Sequence, residues 1–375
     1  MAALDQLTLA GFKSIKQLDD FKLDRLNVLV GANGTGKSNL VDFFRMLRAM
    51  AEGGFQNFIN DAGGADGFLF NGPKETPQIH AGLAFGANGY RFTLEATVAN
   101  EMVIREEATR FTAKDIPGWI GRGWRAQGGN RKESALPVWK GQTNPFTSKR
   151  TVEAYVYEAV SSWTVYHVHD TSRTAPMRRD RSVRDYRELR PDAGNIAPFL
   201  LWMRGAFAER YQRIRETVQL IAPFFDDFIL EPQLKGDNEM VRLEWRQKGS
   251  TFPFQPWQLS DGTIRFICLT TALLQPNPPS TMVIDEPELG LHPVALEAVA
   301  ALLHDVGGRT QLVVSTQSPA LLDHFEPEHV VVVERSEGAS VFRRLERDAL
   351  EHWIEDYSLG ELVRKNVIET GPRHA

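Results

Sequence analysis

A glycine-rich segment, GANGTGKS, occupies positions 31–38 and directly follows the apolar run Leu26–Val30. The run has the length of a buried strand, and the periodicity after it predicts a helix that begins near Lys37. In a strand–turn–helix unit of this kind, successive backbone N–H groups and the helix N-terminus point at one anion. The segment therefore predicts a nucleoside triphosphate site on an α/β fold, with an ordinary glycine-rich turn as the alternative.

The predicted nucleotide contacts cover most of this segment. They are made by Gly31, Asn33, Gly34, Thr35, Gly36, Lys37, Ser38 and the following Asn39. Lys37 is placed among the catalytic residues because a lysine here reaches the β- and γ-phosphates, and Ser38 is placed among the metal ligands. The predicted cofactors are ATP and Mg²⁺.

An apolar strand that ends in two acidic residues, Thr281–Asp285 followed by Glu286, supplies the second half of the predicted site. Ligands of open α/β sheets bind at the carboxyl ends of the strands, where these side chains lie. We expect Asp285 to hold Mg²⁺, directly or through water. Glu286 then stays free to polarise the attacking water as a general base. The alternative is a pair of acids that cap the next turn.

A third segment, LSDGT, lies shortly before that strand. Ser260 is a favourable N-cap residue, Gly262 permits a close backbone approach, and the residues after them have helical periodicity. The segment predicts a second helix N-terminus that binds an anion, with contacts from Leu259, Ser260, Asp261 and Gly262. Alone it indicates only an N-cap, and its position before the acidic strand is what favours a functional role.

The remaining pattern predicts a mainly parallel sheet covered by helices. Three strands, Ile79–Phe85, Tyr90–Ala96 and Met102–Ala108, predict an antiparallel sheet beside it, with a hairpin turn at Asn88-Gly89. Residues 53–72 are predicted to be a glycine-rich loop.

Two further segments are less regular. Phe111–Lys149 is rich in Gly, Lys, Arg and Trp and predicts a surface excursion, whereas Ile196–Ile221 predicts one long amphipathic helix packed in the core. The predicted parts of the chain are an N-terminal ATPase lobe (1–110), a surface insertion (111–160), a helical lobe with an arginine-rich segment (161–230) and a C-terminal ATPase lobe (231–375).

Composition limits the classes of protein that this chain can belong to. The net charge is −5, so any nucleic-acid site must be a local basic patch. A single cysteine, Cys268, excludes a disulfide within the chain and fits a reducing cytoplasm. No signal-peptide pattern is present, and no apolar run approaches the ~20 residues of a membrane helix, so a cytoplasmic protein without a membrane partner is expected.

The order of the three motifs resembles that of ABC-type ATPase heads, in which GANGTGKSN, LSDGT and IDEPELGLHP have counterparts. The similarity points to the RecF, SMC and OLD-like group, and within it to the stand-alone "predicted ATPase" or AAA_21 type. It extends to Val168–Ser172 and Tyr357–Leu362 and is least clear over Phe111–Lys149. The resemblance implies a P-loop NTPase fold of ABC-ATPase type, with an antiparallel β subdomain and a helical lobe.

In that family ATP is sandwiched between two heads. The resemblance implies that Ser260 and Gly262 of one copy contact the γ-phosphate held by the glycine-rich segment of another, which makes ATP the link of a homodimer. Glu288–Leu291 would cross the dimer interface, and Lys13 and Ser14 would contact the base or ribose. The family's glutamine-bearing loop is expected near residues 170–172.

One position departs from the family pattern. After the predicted strand 311–315, the family usually has a histidine that senses the γ-phosphate, and this chain has Gln317. Glutamine can donate a hydrogen bond but cannot carry charge. Gln317 is therefore expected to take a catalytic role with slow hydrolysis, while ATP binding and dimerisation are retained.

The resemblance implies an ATP-driven sensor or regulator in DNA repair or anti-phage defence. Sustained heptads are absent, which excludes long coiled coils, and the roughly sixty residues after Gln317 are too few for an ordinary further domain. A nuclease or other effector is therefore expected to be a separate protein.

The arginine-rich segment Arg173–Arg190 is the predicted local site for DNA, RNA or an acidic partner, since it holds seven arginines. The alternative is a solvated face with salt links to Asp180, Asp185 and Glu188. Nearby, His167 and His169 alternate along a predicted strand; ordinary packing or contacts with phosphate are expected there rather than a metal pair.

Two functions stay open. The first is an ATP-hydrolysing, DNA-associated switch that works with a separate effector. The second is a nucleotide-gated scaffold that dimerises on ATP, turns over little and binds a partner protein. A transporter ATPase is the least favoured option, because it needs a membrane-domain partner and the long internal regions here argue against it.

Overall fold

The computed structural model describes residues 3–112 and 122–368. In these ranges the strands are β1 (Gln6–Phe12), β2 (Ile15–Lys22), β3 (Leu26–Val30), β4 (Gln78–Phe85), β5 (Asn88–Ala96), β6 (Met102–Phe111), β7 (Arg122–Ala126), β8 (Thr164–Tyr166), β9 (Arg181–Ser182), β10 (Phe225–Ile229), β11 (Gln233–Lys235), β12 (Asn238–Val241), β13 (Glu244–Gln247), β14 (Thr281–Asp285), β15 (Gln311–Thr316), β16 (Val330–Ser336) and β17 (Ala339–Arg344). The α-helices are α1 (Lys37–Glu52), α2 (Phe55–Asp61), α3 (Val152–Ser162), α4 (Ile196–Ala206), α5 (Ala208–Ile221), α6 (Asp261–Leu274), α7 (Pro293–Gly307), α8 (Pro319–Leu322), α9 (Arg347–Ile354) and α10 (Leu359–Arg364). No helix within the described ranges is long and apolar enough to cross a membrane.

A six-stranded sheet in the order β17-β16-β3-β15-β14-β8 forms the centre of the fold. Its strands pair in parallel except for β17, which is antiparallel to β16. Every residue of β3, β14 and β15 is buried, as expected for a parallel sheet that is covered on both faces. The prediction of a mainly parallel, helix-covered sheet is confirmed.

The two faces of this sheet bury side chains in different cores, because successive residues of a strand point to opposite sides. In β15, Leu312 and Val314 pack in a core that includes α4, α5, α6 and α7. Val313 between them packs in a second core with α1, α3 and the antiparallel strands. The glycine-rich segment lies where β3 passes into α1, at the carboxyl edge between the two cores.

A second, antiparallel sheet in the order β2-β1-β4-β5-β6-β7 packs against α1 and confirms the predicted antiparallel subdomain. Phe43 of α1 contacts Phe12 of β1 and Phe92 of β5, with ring centroids 5.6 and 6.4 Å apart. The predicted hairpin turn at Asn88-Gly89 is wrong by two residues, since Asn88 pairs with Phe85 inside the strands. The turn lies at residues 86–87, where the Gly86 N–H donates to the Asp5 carboxylate at 2.6 Å.

The predicted loop at 53–72 instead contains a helix, α2. Its first turn is capped from far along the chain, because the Glu133 carboxylate accepts hydrogen bonds from Phe55 N and Gln56 N at 3.0 Å each. The predicted surface excursion is also wrong in part. Leu136 and Trp139 are buried, β7 extends the antiparallel sheet, and α3 packs in the core. The division into four parts stays a prediction.

The long helix predicted over 196–221 is interrupted. Phe207 leaves the helical region, with φ −140° and ψ 55°, and separates α4 from α5. Its ring packs against Trp202 of α4 at 5.0 Å between centroids, so the break is accompanied by a local aromatic contact. The predicted core packing of the apolar stripe is confirmed, since Leu200, Ile214 and Val218 are fully buried.

A buried carboxylate anchors the segment around residue 135 to the antiparallel sheet. Glu107 of β6 has no exposed surface. It accepts hydrogen bonds from Tyr90 Oη at 2.7 Å, Ser134 Oγ at 2.6 Å and Ala135 N at 2.9 Å. Arg131 Nη2 lies 2.9 Å from its second oxygen and supplies the counter-charge.

We predict that Glu107→Ala lowers the free energy of unfolding by about 3–5 kcal/mol, because it leaves three buried donors, Tyr90 Oη, Ser134 Oγ and Ala135 N, without their acceptor. The measurement is urea unfolding followed by circular dichroism. Glu106→Ala is the matched control, since Glu106 forms an exposed pair with Arg91 at 2.8 Å and such pairs contribute about 0–1 kcal/mol. Equal losses in the two variants would contradict the anchoring role.

Candidate nucleotide-binding site

The glycine-rich segment is held in shape by a residue from the other end of the chain. Ser340 of β17 donates to the Thr35 carbonyl at 2.6 Å, and its hydroxyl lies 2.6 Å from that of Ser14. Gly36, the N-cap of α1, has φ 110°, and a Cβ there would lie 2.0 Å from Ser340 Oγ. Glycine at position 36 is therefore required by both its conformation and its neighbour.

Lys37 extends its side chain back over the glycine-rich segment. The residue is only 4% exposed, and its Nζ donates to the carbonyls of Gly31 and Ala32. Burial lowers the pKa of the Lys37 ammonium, and the negative charges of Glu286 and other acids after β14 oppose that shift. Arg45 of the same helix, α1, contacts Asp285, so the start of that helix and the acidic end of β14 lie at the same edge of the sheet.

The middle of the segment is open to solvent. Asn33, Gly34 and Ser38 are exposed, and a Cβ built at Gly34 would meet nothing within 4 Å. No side chain caps the N-terminus of α1 at Gly36, so its positive end faces the loop. An open loop, a helix N-terminus and a buried ammonium together fit an anionic ligand such as a triphosphate.

Asp285 ends β14 next to the ends of β15 and β8. Its Oδ1 accepts from Ser315 Oγ at 2.7 Å, and its Oδ2 lies 3.2 Å from His167 Nδ1 and 3.5 Å from Arg45 Nη2. Burial by itself raises the pKa of Asp285, but the hydrogen bonds from His167 and Ser315 and the charge of Arg45 outweigh it. The pKa therefore lies below its usual value, and the carboxylate that would hold Mg²⁺ stays ionised.

Glu286 projects from a strained turn directly after the strand. Its φ is +49°, a conformation that non-glycine residues rarely adopt, and its N–H donates to Ser315 O at 2.9 Å. Its carboxylate accepts a hydrogen bond from Gln317 Nε2. The residue that replaces the family's histidine is therefore in direct contact with the predicted general base.

Glu288 is a third acid at this edge. Its Oε1 accepts from Thr316 Oγ1 at 2.7 Å and from Gln317 N at 2.9 Å, which ties the turn after β14 to the end of β15. Its Oε2 is buried and has no hydrogen-bond partner among the described residues. Burial raises the pKa of the Glu288 carboxyl above its usual value.

The LSDGT segment caps α6 as predicted, since Ser260 Oγ accepts from Thr263 N at 3.1 Å. Gly262 allows a close backbone approach, because a Cβ there would lie 2.5 Å from Gly290 O. Ser260 and Gly262 open onto a cleft of about 490 Å³, whose other lining residues lie at the end of α5 and just after it, at the start of α6, and in the turn before α7 and the first residues of α7. None of the residues that line this cleft belongs to the glycine-rich segment.

Two other predicted contacts are engaged within the chain. Lys13 Nζ is 2.6 Å from Asp42 Oδ2, and Ser14 Oγ is buried between Ser340 and Asn39, whose Nδ2 donates to it at 2.5 Å. Ser14 and Asn39 therefore support the segment from behind. The role of Lys13 and Ser14 toward a base or ribose stays a prediction.

The arginine-rich segment contains one residue that is not available to a partner. Arg178 is 5% exposed and hydrogen-bonds Thr171 O, Pro256 O, Leu259 O and Asp261 Oδ1. It therefore positions the LSDGT segment. Of the internal salt links that the alternative supposed, the one between Asp185 and Arg190 forms. Asp180 and Glu188 pair instead with residues outside the segment, namely Lys235 and Arg242 for Asp180 and Arg48 for Glu188.

Sequence reasoning missed several residues at this edge. Ser340 and Arg335, whose Nη1 donates to Gly34 O at 3.3 Å, belong to the hairpin of β16 and β17 and lie some three hundred positions from the loop. Arg45 and Ser315 contact Asp285 and carry no motif of their own. For His167 and His169, the one signal in the sequence was their placement at alternate positions of a predicted strand.

Together these features define the class of protein to which the chain belongs. A glycine-rich loop between a buried parallel strand and a helix, with acidic residues at the end of a strand in the same sheet, is the arrangement of P-loop ATPases of the ABC type. The chain belongs to the AAA_21 family, described as "AAA domain, putative AbiEii toxin, Type IV TA system", whose model matches residues 26–323.

The fold is similar to that of SMC head domains. A crystal structure of an SMC head bound to the C-winged helix domain of ScpA matches with a TM-score of 0.54 and 16% identity, over 92% of this chain and 99% of that chain. An SMC head with an extended coiled coil, bound to the C-terminal domain of ScpA derived from Pyrococcus furiosus, matches with a TM-score of 0.51 and 14% identity, over 95% and 99%. No curated protein matches the sequence significantly.

We predict that Ser340→Ala weakens ATP binding about fivefold, because a buried hydrogen bond that contributes about 1 kcal/mol no longer holds the loop at Thr35. The measurement is isothermal titration with a non-hydrolysable ATP analogue. Ser336→Ala, in the same hairpin but outside the contact with the loop, is the control and keeps wild-type affinity. Unchanged affinity in Ser340→Ala would remove Ser340 from the site.

Proposed function

We propose that the protein binds ATP at the glycine-rich segment and hydrolyses it. The observation that carries this proposal is the parallel register of β3, β15 and β14, which brings the glycine-rich segment, Gln317 and the acids Asp285 and Glu286 to one sheet edge, with Gln317 bonded to Glu286. In this assignment Lys37 neutralises the β- and γ-phosphates, and Glu286 accepts a proton from the attacking water.

Ser38 and Asp285 are the residues proposed to hold Mg²⁺. They fit this ion because it prefers oxygen ligands: Asp285 offers a carboxylate whose pKa lies below its usual value, and Ser38 offers an exposed hydroxyl at the start of α1. When bound, the ion would neutralise negative charge on the phosphates. Gln317 would orient the general base, Glu286, through the hydrogen bond between them.

Slow turnover is part of the proposal. The amide of Gln317 can orient Glu286 through a hydrogen bond, but it stays neutral when charge develops on the γ-phosphate. ATP binding depends on other residues, namely the glycine-rich segment and Lys37. The site is therefore expected to hold ATP for longer than a site with a cationic sensor.

Dimerisation on ATP is also proposed. The LSDGT segment faces a cleft that the chain's own glycine-rich segment does not line. The exposed Val294 lines that cleft, and the exposed Leu289 directly precedes Gly290, another of its lining residues. A second copy that brings its nucleotide to this face would cover both apolar side chains. We further propose a regulatory role with a separate effector protein in a DNA-associated process. A partner of this kind has a parallel in the SMC head crystallised with part of ScpA.

We predict that Lys37→Ala loses ATP binding, whereas Glu286→Gln keeps it and loses hydrolysis at least about a hundredfold, because the general base is gone. Size-exclusion chromatography with light scattering should find Glu286→Gln trapped as a dimer with ATP. Wild type should cycle between monomer and dimer while it releases phosphate.

The same assays separate the nucleotide-gated scaffold from the enzyme. If wild type and Glu286→Gln dimerise alike and neither releases phosphate, the protein is a scaffold. Gln317→Ala should slow phosphate release while ATP binding is kept, and Gln212→Ala on the exposed side of α5 should release phosphate at the wild-type rate. A Gln317→Ala variant as fast as wild type would remove that residue from the mechanism.

DNA contact by the arginine-rich segment is tested with its exposed members. We predict that the double change Arg179→Glu and Arg184→Glu weakens binding of duplex DNA and lowers the salt dependence by about two phosphate contacts. Arg178 is left unchanged because it is buried, and Lys16→Glu on β2 is the control for a surface charge change. Fluorescence anisotropy across a salt series is the measurement, and an unchanged slope would exclude this segment.

A further inference from the structure

Two histidines and one aspartate form a cluster of metal-ligand type at the sheet edge. His167 Nδ1 lies 3.2 Å from Asp285 Oδ2, and His169 Nε2 lies 3.4 Å from the Asp285 carbonyl. The imidazole rings are 3.7 Å apart between centroids. One ligand atom from each of the three side chains lies within 4.8 Å of the other two.

The backbone fixes the position of both histidines. β8 pairs in parallel with β14 up to Tyr166 and Ile284, so His167 emerges beside Asp285. The His167 N–H donates to Pro191 O at 3.0 Å. Arg265 of α6 donates to the carbonyls of Val168 at 2.8 Å and His169 at 3.1 Å. Hydrogen bonds therefore fix the backbone of this segment on both sides. The two imidazoles are held close together without a bound ligand.

This donor set differs from that of a magnesium site. Mg²⁺ takes oxygen ligands, whereas two imidazole nitrogens with one carboxylate suit divalent transition metals such as Zn²⁺ and Co²⁺. The His167 side chain is 38% exposed, so water can complete the coordination. Arg45 lies 3.5 Å from Asp285 Oδ2, a longer contact than the 2.7 Å that it makes with Asp42.

We propose that His167, His169 and Asp285 bind one divalent transition-metal ion of the Zn²⁺ or Co²⁺ kind in the protein without nucleotide. The ligand set contains two side chains that the proposed ATP site does not use. Because Asp285 is common to both sites, a bound transition metal occupies the carboxylate that Mg²⁺ would need. The proposal does not rest on hydrolysis, since the ion is bound before any nucleotide.

The test is a titration of the tag-free full chain with Co²⁺, followed by its visible absorption bands, and then displacement with Zn²⁺. We expect one ion per chain, with bands of nitrogen and oxygen coordination. His169→Ala and His167→Ala should each weaken Co²⁺ binding at least tenfold. His304→Ala is the matched control, because His304 and His329 form another close histidine pair, 5.6 Å between centroids, away from Asp285.

Two further variants distinguish loss of a metal ligand from misfolding and from loss of ATP binding. His169→Asn keeps a polar side chain of smaller size and should lose Co²⁺ binding while it retains wild-type circular dichroism and thermal unfolding. Lys37→Ala should bind Co²⁺ as wild type does even though ATP binding is lost, which separates this site from the nucleotide site. The proposal is overturned if wild type takes up no stoichiometric Co²⁺, if His169→Asn binds it as tightly, or if His304→Ala is the variant that loses it.

Discussion

The parallel register of the central sheet is the constraint on which the site depends. Asp285 of β14 pairs with Ser315 of β15, and Thr316 of β15 pairs with Val30 of β3. The residues that follow these strands therefore emerge side by side. The register alone is enough to bring Gln317 next to Glu286. A slip of one residue in either pairing would turn every buried side chain of the moved strand to the opposite core.

The acids at this edge outnumber the buried ammonium that they surround. Three carboxylates face one buried ammonium, and the neighbours differ for each acid. Asp285 has donors on both oxygens, which lowers its pKa. Glu288 has one buried oxygen without a partner in the described parts of the chain, and burial raises its pKa. As the pH falls, Glu288 therefore takes up a proton before Asp285 does, so the predicted metal ligand keeps its charge after its neighbour has lost it.

Much of this arrangement could be predicted from the sequence, because the motifs are local. The strand before the glycine-rich segment, the acids after β14 and the Ser260 cap each lie within a few consecutive residues. Features that depend on distant partners could not be predicted. The cap of α2 is supplied by Glu133, the glycine-rich segment is braced by Ser340, and β8 brings His167 to Asp285. None of these contacts leaves a periodic or compositional trace.

The hydrogen bond from Ser340 to the Thr35 carbonyl has a consequence for biosynthesis. Domains fold as units while the chain emerges from the ribosome, N-terminal residues first. The glycine-rich segment is synthesised some three hundred residues before the hairpin strand that braces it. A nascent chain that has not reached residue 340 carries the segment without this hydrogen bond. The final conformation of the loop is therefore set only after Ser340 has been added and β17 has paired with β16.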